Sequence, residues 1–99
     1  MLIHKESKLI TVTAGSGSEN THKFSGLLVE QIIVKAITPT NIFDLSITDE
    51  YDNEVYSQDA IEGGFEEHSL NLPIRGIHTI SISSATVDEN ITVILCGEE

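Results

Sequence analysis

Cys96 is the only cysteine, so no disulfide can form within the chain. Small secreted domains commonly depend on disulfides, and their absence points to assembly in a reducing cytoplasm. Tryptophan is missing and aromatics make up 5% of the residues. A sugar-binding module stacks its ligand on a planar aromatic platform. Only Tyr51, Tyr56, Phe24 and Phe65 stand out for that role, which weakens a lectin reading. Basic residues are also few: Lys5, Lys8, Lys23, Lys35 and Arg75 are scattered among 16 acidic residues, for a net charge of −11. Phosphate binding needs a patch of Lys and Arg, so the composition argues against nucleic acid and against an anionic membrane. No run reaches the roughly 18 apolar residues of a membrane helix. The opening MLIHKESKLITV lacks the apolar core of a signal peptide. The expectation is a soluble, unprocessed protein.

Catalytic signatures are lacking as well. His4, His22, His68 and His78 are widely spaced, with no HxH, HExxH or Cys/His pairing that would signal zinc. Ser16 and Ser25 stand outside any GxSxG elbow. Glycine patterns for phosphate binding are absent. Cys96 ends an apolar strand with no basic neighbour in sequence, which reads as a buried, inert thiol rather than a nucleophile. No cofactor is implied and no enzyme is expected. The acidity reads most simply as solubility, and more sharply as attraction to a basic partner or to Ca²⁺. Asp49, Asp52 and Asn53 are the Ca²⁺ candidates, but they lack the DxDxDG spacing and suit a solvated turn better.

What the chain does have is Ile, Val and Thr. These β-branched side chains are stiff at χ1 and fit a pleated surface. With 99 residues the chain predicts one domain, 1–99, in which Met1–Ser7 is either a short edge strand or a short N-terminal arm, 1–7, laid on a partner. Its core is modest, so association would help it. Lys8–Ala14 alternates, with Ile10, Val12 and Ala14 on one face. Gly15–Lys23 reads as a polar loop. Asn41–Thr48 is the clearest alternator, with Phe43, Leu45 and Ile47 on one side. It predicts a hairpin through the turn Asp49–Asn53 to Glu54–Ser57, with Tyr51 and Tyr56 packing across it. Gln58–Ser69 reads as irregular and very acidic. Leu70–Gly97 predicts an entry strand limited to an edge by Pro73, a corner at Gly76, and a hairpin. Its strands carry Ile80 and Ile82, then Ile91, Val93 and Leu95, inward. About seven short strands in all predict an all-β antiparallel sandwich, immunoglobulin-like or jelly-roll.

Leu27–Thr38 is different because both faces are apolar. Leu28, Ile32, Val34 and Ala36 share one face; Leu27, Val29, Ile33 and Ile37 share the other. A helix is the competing reading, but Pro39 holds Thr38 extended and no capping box precedes the segment. Either the strand contains a bulge or its second face meets another subunit. Ile94 and Cys96 are likewise surplus to the final strand's core face. Leu27, Val29, Ile33, Ile94 and Cys96 are therefore the candidate interface residues, and a homo-oligomer is expected.

From Phe24 to Gly97 the order LLVEQIIVKAITPTN, FDLSITDEYDNEVY, a Gly-rich acidic loop and LNLPIRGIHTISISSATVDENITVIL resembles small β-sandwich virion structural proteins of tailed bacteriophages. These are of the capsid decoration or cement type. The resemblance implies a non-enzymatic protein that binds the major capsid protein or another virion component. It also implies assembly in the host cytoplasm and residence in the virion. The acidic Asp59–Glu67 segment departs from the pattern and alters the partner surface. The alternative function is a tail-fibre or baseplate-associated module that recognises host glycan or protein through its loops.

Overall fold

The computed structural model describes residues 3–98, with side chains from residue 5 onward. Among the described residues nine strands form in chain order: β1 Ile3–Thr11, β2 Gly17–Asn20, β3 Phe24–Ala36, β4 Ile42–Thr48, β5 Glu54–Glu62, β6 Gly64–Glu67, β7 Leu72–Gly76, β8 Thr79–Ser83 and β9 Asn90–Glu98. They make two antiparallel sheets. One has the order β1-β9-β3, with β6 and β7 end to end along the far side of β3; the other has the order β2-β8-β4-β5. Counting β6 and β7 as one interrupted strand, the orders become 1-8-3-6 and 2-7-4-5. That is the double Greek key of a jelly roll, so the immunoglobulin-like alternative falls away.

The alternating strands dictate the core. Phe43, Leu45 and Ile47 of β4 and Ile80 and Ile82 of β8 are buried against Ile10 of β1 and Ile91, Val93 and Leu95 of β9. Burying each such side chain stabilises the fold by about 1.5–3 kcal/mol. β3 explains its own two-faced sequence. Its register with β9 shifts between Val29 and Gln31. This bulge inserts one residue and reverses the side-chain parity. Phe24, Leu27 and Val29 point inward before it, and Ile32 and Val34 point inward after it. Gly97 pairs with Val29 beside the bulge, and a Cβ on Gly97 would lie within 1.9 Å of the Leu28 carbonyl oxygen. Only a glycine lets β9 approach the bulge so closely.

Several expectations are corrected. β8 and β9 do not form a hairpin: β8 pairs with β2 and β4, while β9 pairs with β1 and β3 in the opposite sheet. The link between them crosses the end of the sandwich instead of turning back. The polar loop at Gly15–Lys23 contains β2, whose wet edge position needs no apolar residue. The irregular Gln58–Ser69 region contains the end of β5 and all of β6. β5 was hard to read because two register shifts against β4 break its alternation, one near Ala60 at φ 54°. The amide of Ala60 donates to the Asp44 carboxylate at 2.9 Å, which fixes that bulge. Tyr51 does not pack across the β4–β5 hairpin and is 83% exposed. Tyr56 packs against the core, and its hydroxyl is buried with no hydrogen-bond partner among the described residues. Of the two readings of Met1–Ser7 the edge strand holds over Ile3–Ser7, which pairs with β9; Met1 and Leu2 lie outside the described residues.

The loops at each end are tied together. At one end Asn41 is fully buried. Its amide donates to the Val87 carbonyl and to Glu89 Oε2, each at 3.1 Å, and its oxygen accepts from Val87 N at 3.2 Å. Glu89 also accepts from Thr38 N and Oγ1, at 2.9 and 2.5 Å. Nearby, Asp88 accepts from both amides of the Ala14–Gly15 turn at 2.9 Å. At the other end His78 is buried; its amide donates to Thr21 Oγ1 at 3.0 Å, and Thr21 N donates back to the His78 carbonyl.

Candidate protein-interaction face

The register places most of the outward residues of the five-stranded sheet. Residues directly opposite in an antiparallel pair share a face. One row runs Leu9–Thr92–Lys35, the next Ser7–Ile94–Ile33–Glu66, and the next Lys5–Cys96–Gln31. The last row brings Glu98, Leu28 and Pro73 together. Ile33, Ile94, Cys96 and Leu28 thus form a half-buried apolar centre, and Leu9 beyond it is 55% exposed. Next to Leu28 the surface dips into a shallow cleft of about 300 Å³, floored by Leu27 and Ile74 and rimmed by Gly26, Pro73 and Arg75.

Three of the candidate interface residues, Ile33, Ile94 and Cys96, meet on this face. The other two do not. Leu27 and Val29 are 2% and 0% exposed and belong to the core. Simple alternation from Ile33 assigned them to the outer face, and the bulge between Val29 and Gln31 reverses that assignment. Cys96 is not a buried thiol: it is half-buried on the outer face, opposite Lys5, a basic neighbour that the register supplies and the local sequence did not. Leu28 was missed for the same reason as Leu27, having been assigned to the wrong side of the bulge.

Charge distinguishes this face from the rest. Lys5, Lys35 and Arg75 lie on or beside it, three of the five basic residues, against three acidic ones, Glu66 and Glu98 in the paired rows and the exposed Glu30 at the bulge. The face is close to neutral on a protein of net charge −11. An apolar centre with a balanced rim is the general anatomy of a protein-binding surface. At its margin His68 hydrogen-bonds Gln31 and lies 3.3 Å from Glu66. The outer face of the second sheet is hydroxylic by comparison, with Ser18, Ser81, Ser46 and Ser57 in one row across its four strands.

The remaining candidates are accounted for locally. Asp49 Oδ1 accepts from Tyr51 N and Asn53 N at 2.9 Å, and Asn53 Nδ2 donates to Oδ2 at 3.3 Å. These bonds, the Asn53 amide foremost, hold the Asp49 carboxyl below its ordinary pKa. Asp52 takes the positive-φ position of the turn at 61°. The carboxylate of Asp49 is thus spent on its own turn. Among the described residues no group of three or more His, Cys, Asp or Glu is arranged to hold a metal ion. The histidines are dispersed: His22 Nδ1 is 2.6 Å from Glu6, His68 sits by Glu66, and His78 is in the core. The side chain of His4 lies outside the described ones.

No protein-family model matches the chain, and no curated protein matches its sequence. Solved structures do share its fold. A chain from the complex of Aeromonas sobria serine protease with its chaperone superposes with a TM-score of 0.54 at 9% identity; it covers all of the present chain, which spans only 28% of its length. The fucose-binding module SpX-3 of Streptococcus pneumoniae gives 0.50 at 15% identity, covering 96% of this chain and 94% of the module. A chain of the cyanophage Pam1 capsid asymmetric unit gives 0.57 at 9% identity, covering 95% of this chain and 82% of the capsid chain. At these identities the likeness is one of fold alone.

Proposed function

We propose that the protein is a non-enzymatic structural component of a bacteriophage virion, a capsid decoration or cement protein. It binds the major capsid protein through the outer face of its five-stranded sheet. The observation that carries this reading is the apolar centre Ile33–Ile94–Cys96–Leu28, displayed on a near-neutral face of an otherwise acidic protein. Support comes from the near full-length likeness in fold to a cyanophage capsid chain. In this reading the surplus acidity keeps the unassembled protein soluble, and the balanced face lets one side dock. Purified virions, fractionated and quantified by mass spectrometry, test it. The expected result is the protein in fixed stoichiometry with the shell subunit. Ile94→Lys should remove it from the virion while circular dichroism of the isolated protein stays unchanged. Its absence from washed virions would refute the proposal.

A second reading, a fibre- or baseplate-associated module for host glycan or protein, is favoured by one feature. Tyr51 is 83% exposed at the tip of the β4–β5 turn, where an aromatic ring can stack on a sugar. Glycan-array binding that disappears in Tyr51→Ala would move the assignment there.

A further inference from the structure

Edge strands invite pairing with other chains, and most edges of this sandwich are blunted. β2, β6 and β7 are four, four and five residues long, and β7 contains Pro73. β5 is interrupted by two bulges and carries Glu54, Asp59 and Glu62. β1 has none of these short or broken features. It is nine residues long, and its register with β9 is unbroken from Ile3 to Thr11. Among the described residues no strand pairs with its other edge. Two of the five basic residues, Lys5 and Lys8, lie on it with a single acidic residue, Glu6. With one net positive charge it repels a second copy less than the acidic edges β2, β5 and β6 do, on a chain of net charge −11.

The strand is also complementary to itself. Consider two copies of β1 paired antiparallel about a two-fold axis. To continue both sheets with their outer faces on the same side, residues of like parity must stand opposite each other. With the axis through Ser7, Glu6, whose Oε2 also accepts from the His22 amide at 3.1 Å, faces the partner's Lys8, and Lys8 faces the partner's Glu6. On the outer side Lys5 faces the partner's Leu9, so the lysine stem can cover that exposed leucine. Moving the axis to Glu6 or to Lys8 keeps the parity but sets that residue against its own copy, which is destabilising. Only the register centred on Ser7 makes both charges attractive.

We propose that β1 pairs with β1 of a second copy about a two-fold axis through Ser7, joining the two five-stranded sheets into one continuous sheet. The partner is a second copy of this chain, and the docking face on the sheet exterior is left uncovered. Sedimentation equilibrium of the full chain at tens of micromolar is expected to give the mass of two copies. Lys8→Glu should weaken association by about tenfold or more, since it turns two attractive pairs repulsive. In a Cys96→Ser background, Ser7→Cys should oxidise to a covalent dimer, because opposite Cα atoms lie about 4.5–5.5 Å apart, within disulfide reach. Leu9→Cys in that background should not, as it stands beside the partner's Lys5. A monomer at this concentration overturns the proposal, and so does a dimer that Ser7→Cys fails to cross-link. If Lys8→Glu unfolds the chain, the cross-linking pair decides alone.

Discussion

Val29 and Ile33 lie four positions apart on one strand and point to opposite faces of its sheet. In an unbroken strand they would share a face. The bulge between Val29 and Gln31 separates them, and with them the two tasks of β3: filling the core and presenting a surface.

The first prediction follows from that separation. Val29→Ala should destabilise the fold by about 1–3 kcal/mol, since it opens a cavity in a close-packed core. Ile33→Ala, on the half-buried outer face, should cost about 1 kcal/mol or less. Urea denaturation of both variants checks this, and equal losses would mean that the parity of β3 does not reverse.

Gly97 supplies the second. A methyl group there would meet the Leu28 carbonyl at 1.9 Å, and backbone cannot yield as a flexible side chain does. Gly97→Ala should cost about 2 kcal/mol or more through forced separation of β9 from β3. A thermal unfolding curve unchanged from the parent would contradict the close approach.

Acid should weaken the loop end that holds Asn41. Hydrogen bonds from Thr38 Oγ1 and Thr38 N, with a further one from Asn41, hold the Glu89 carboxyl below its ordinary pKa. A folded-state pKa below the unfolded one contributes stability that is complete above the unfolded value of about 4.3. It is lost as pH falls through the lower folded value. Asp49 has the same sign, chiefly from the Asn53 amide. Stability measured from pH 7 downward should therefore decline below about pH 4, and Glu89→Gln should flatten part of that decline while lowering stability at neutral pH.

Tyr56 carries the opposite expectation for a polar group. Its hydroxyl is buried without a partner among the described residues, and burial, aided by the Glu67 carboxylate, pushes its pKa up. Tyr56→Phe removes an unsatisfied group and keeps the ring. It should leave stability unchanged or raise it by about 1 kcal/mol, read from chemical denaturation midpoints.

The period-2 strands were legible in the sequence because each has one wet and one dry face. Phe43, Leu45 and Ile47, then Ile80 and Ile82, then Ile91, Val93 and Leu95 all lie where alternation placed them. What escaped was whatever departs from a single period or depends on distant partners. β2 is wet on both sides and looks like a loop, and β5 hides behind its bulges. The assignment of β8 and β9 to different sheets is set by pairing with β4 and β3, which local sequence does not encode. The same limit applied to the outer face of the five-stranded sheet. Ile33, Ile94 and Cys96 were found by parity, while Leu27 and Val29 were misplaced by a bulge that the sequence allowed but did not locate.

The unbroken pairing of β1 with β9 also bears on how the molecule is made. Ile10 meets Ile91 across 81 intervening steps of chain, and neither strand can complete its sheet without the other. Closing so long a loop makes folding slow compared with proteins built from local contacts. During synthesis β1 waits, extended and unpartnered, until nearly all of the described chain has left the ribosome. Until then Lys5, Glu6 and Lys8 keep the strand hydrated, because charged side chains on an unpaired edge lower its tendency to pair with unrelated chains.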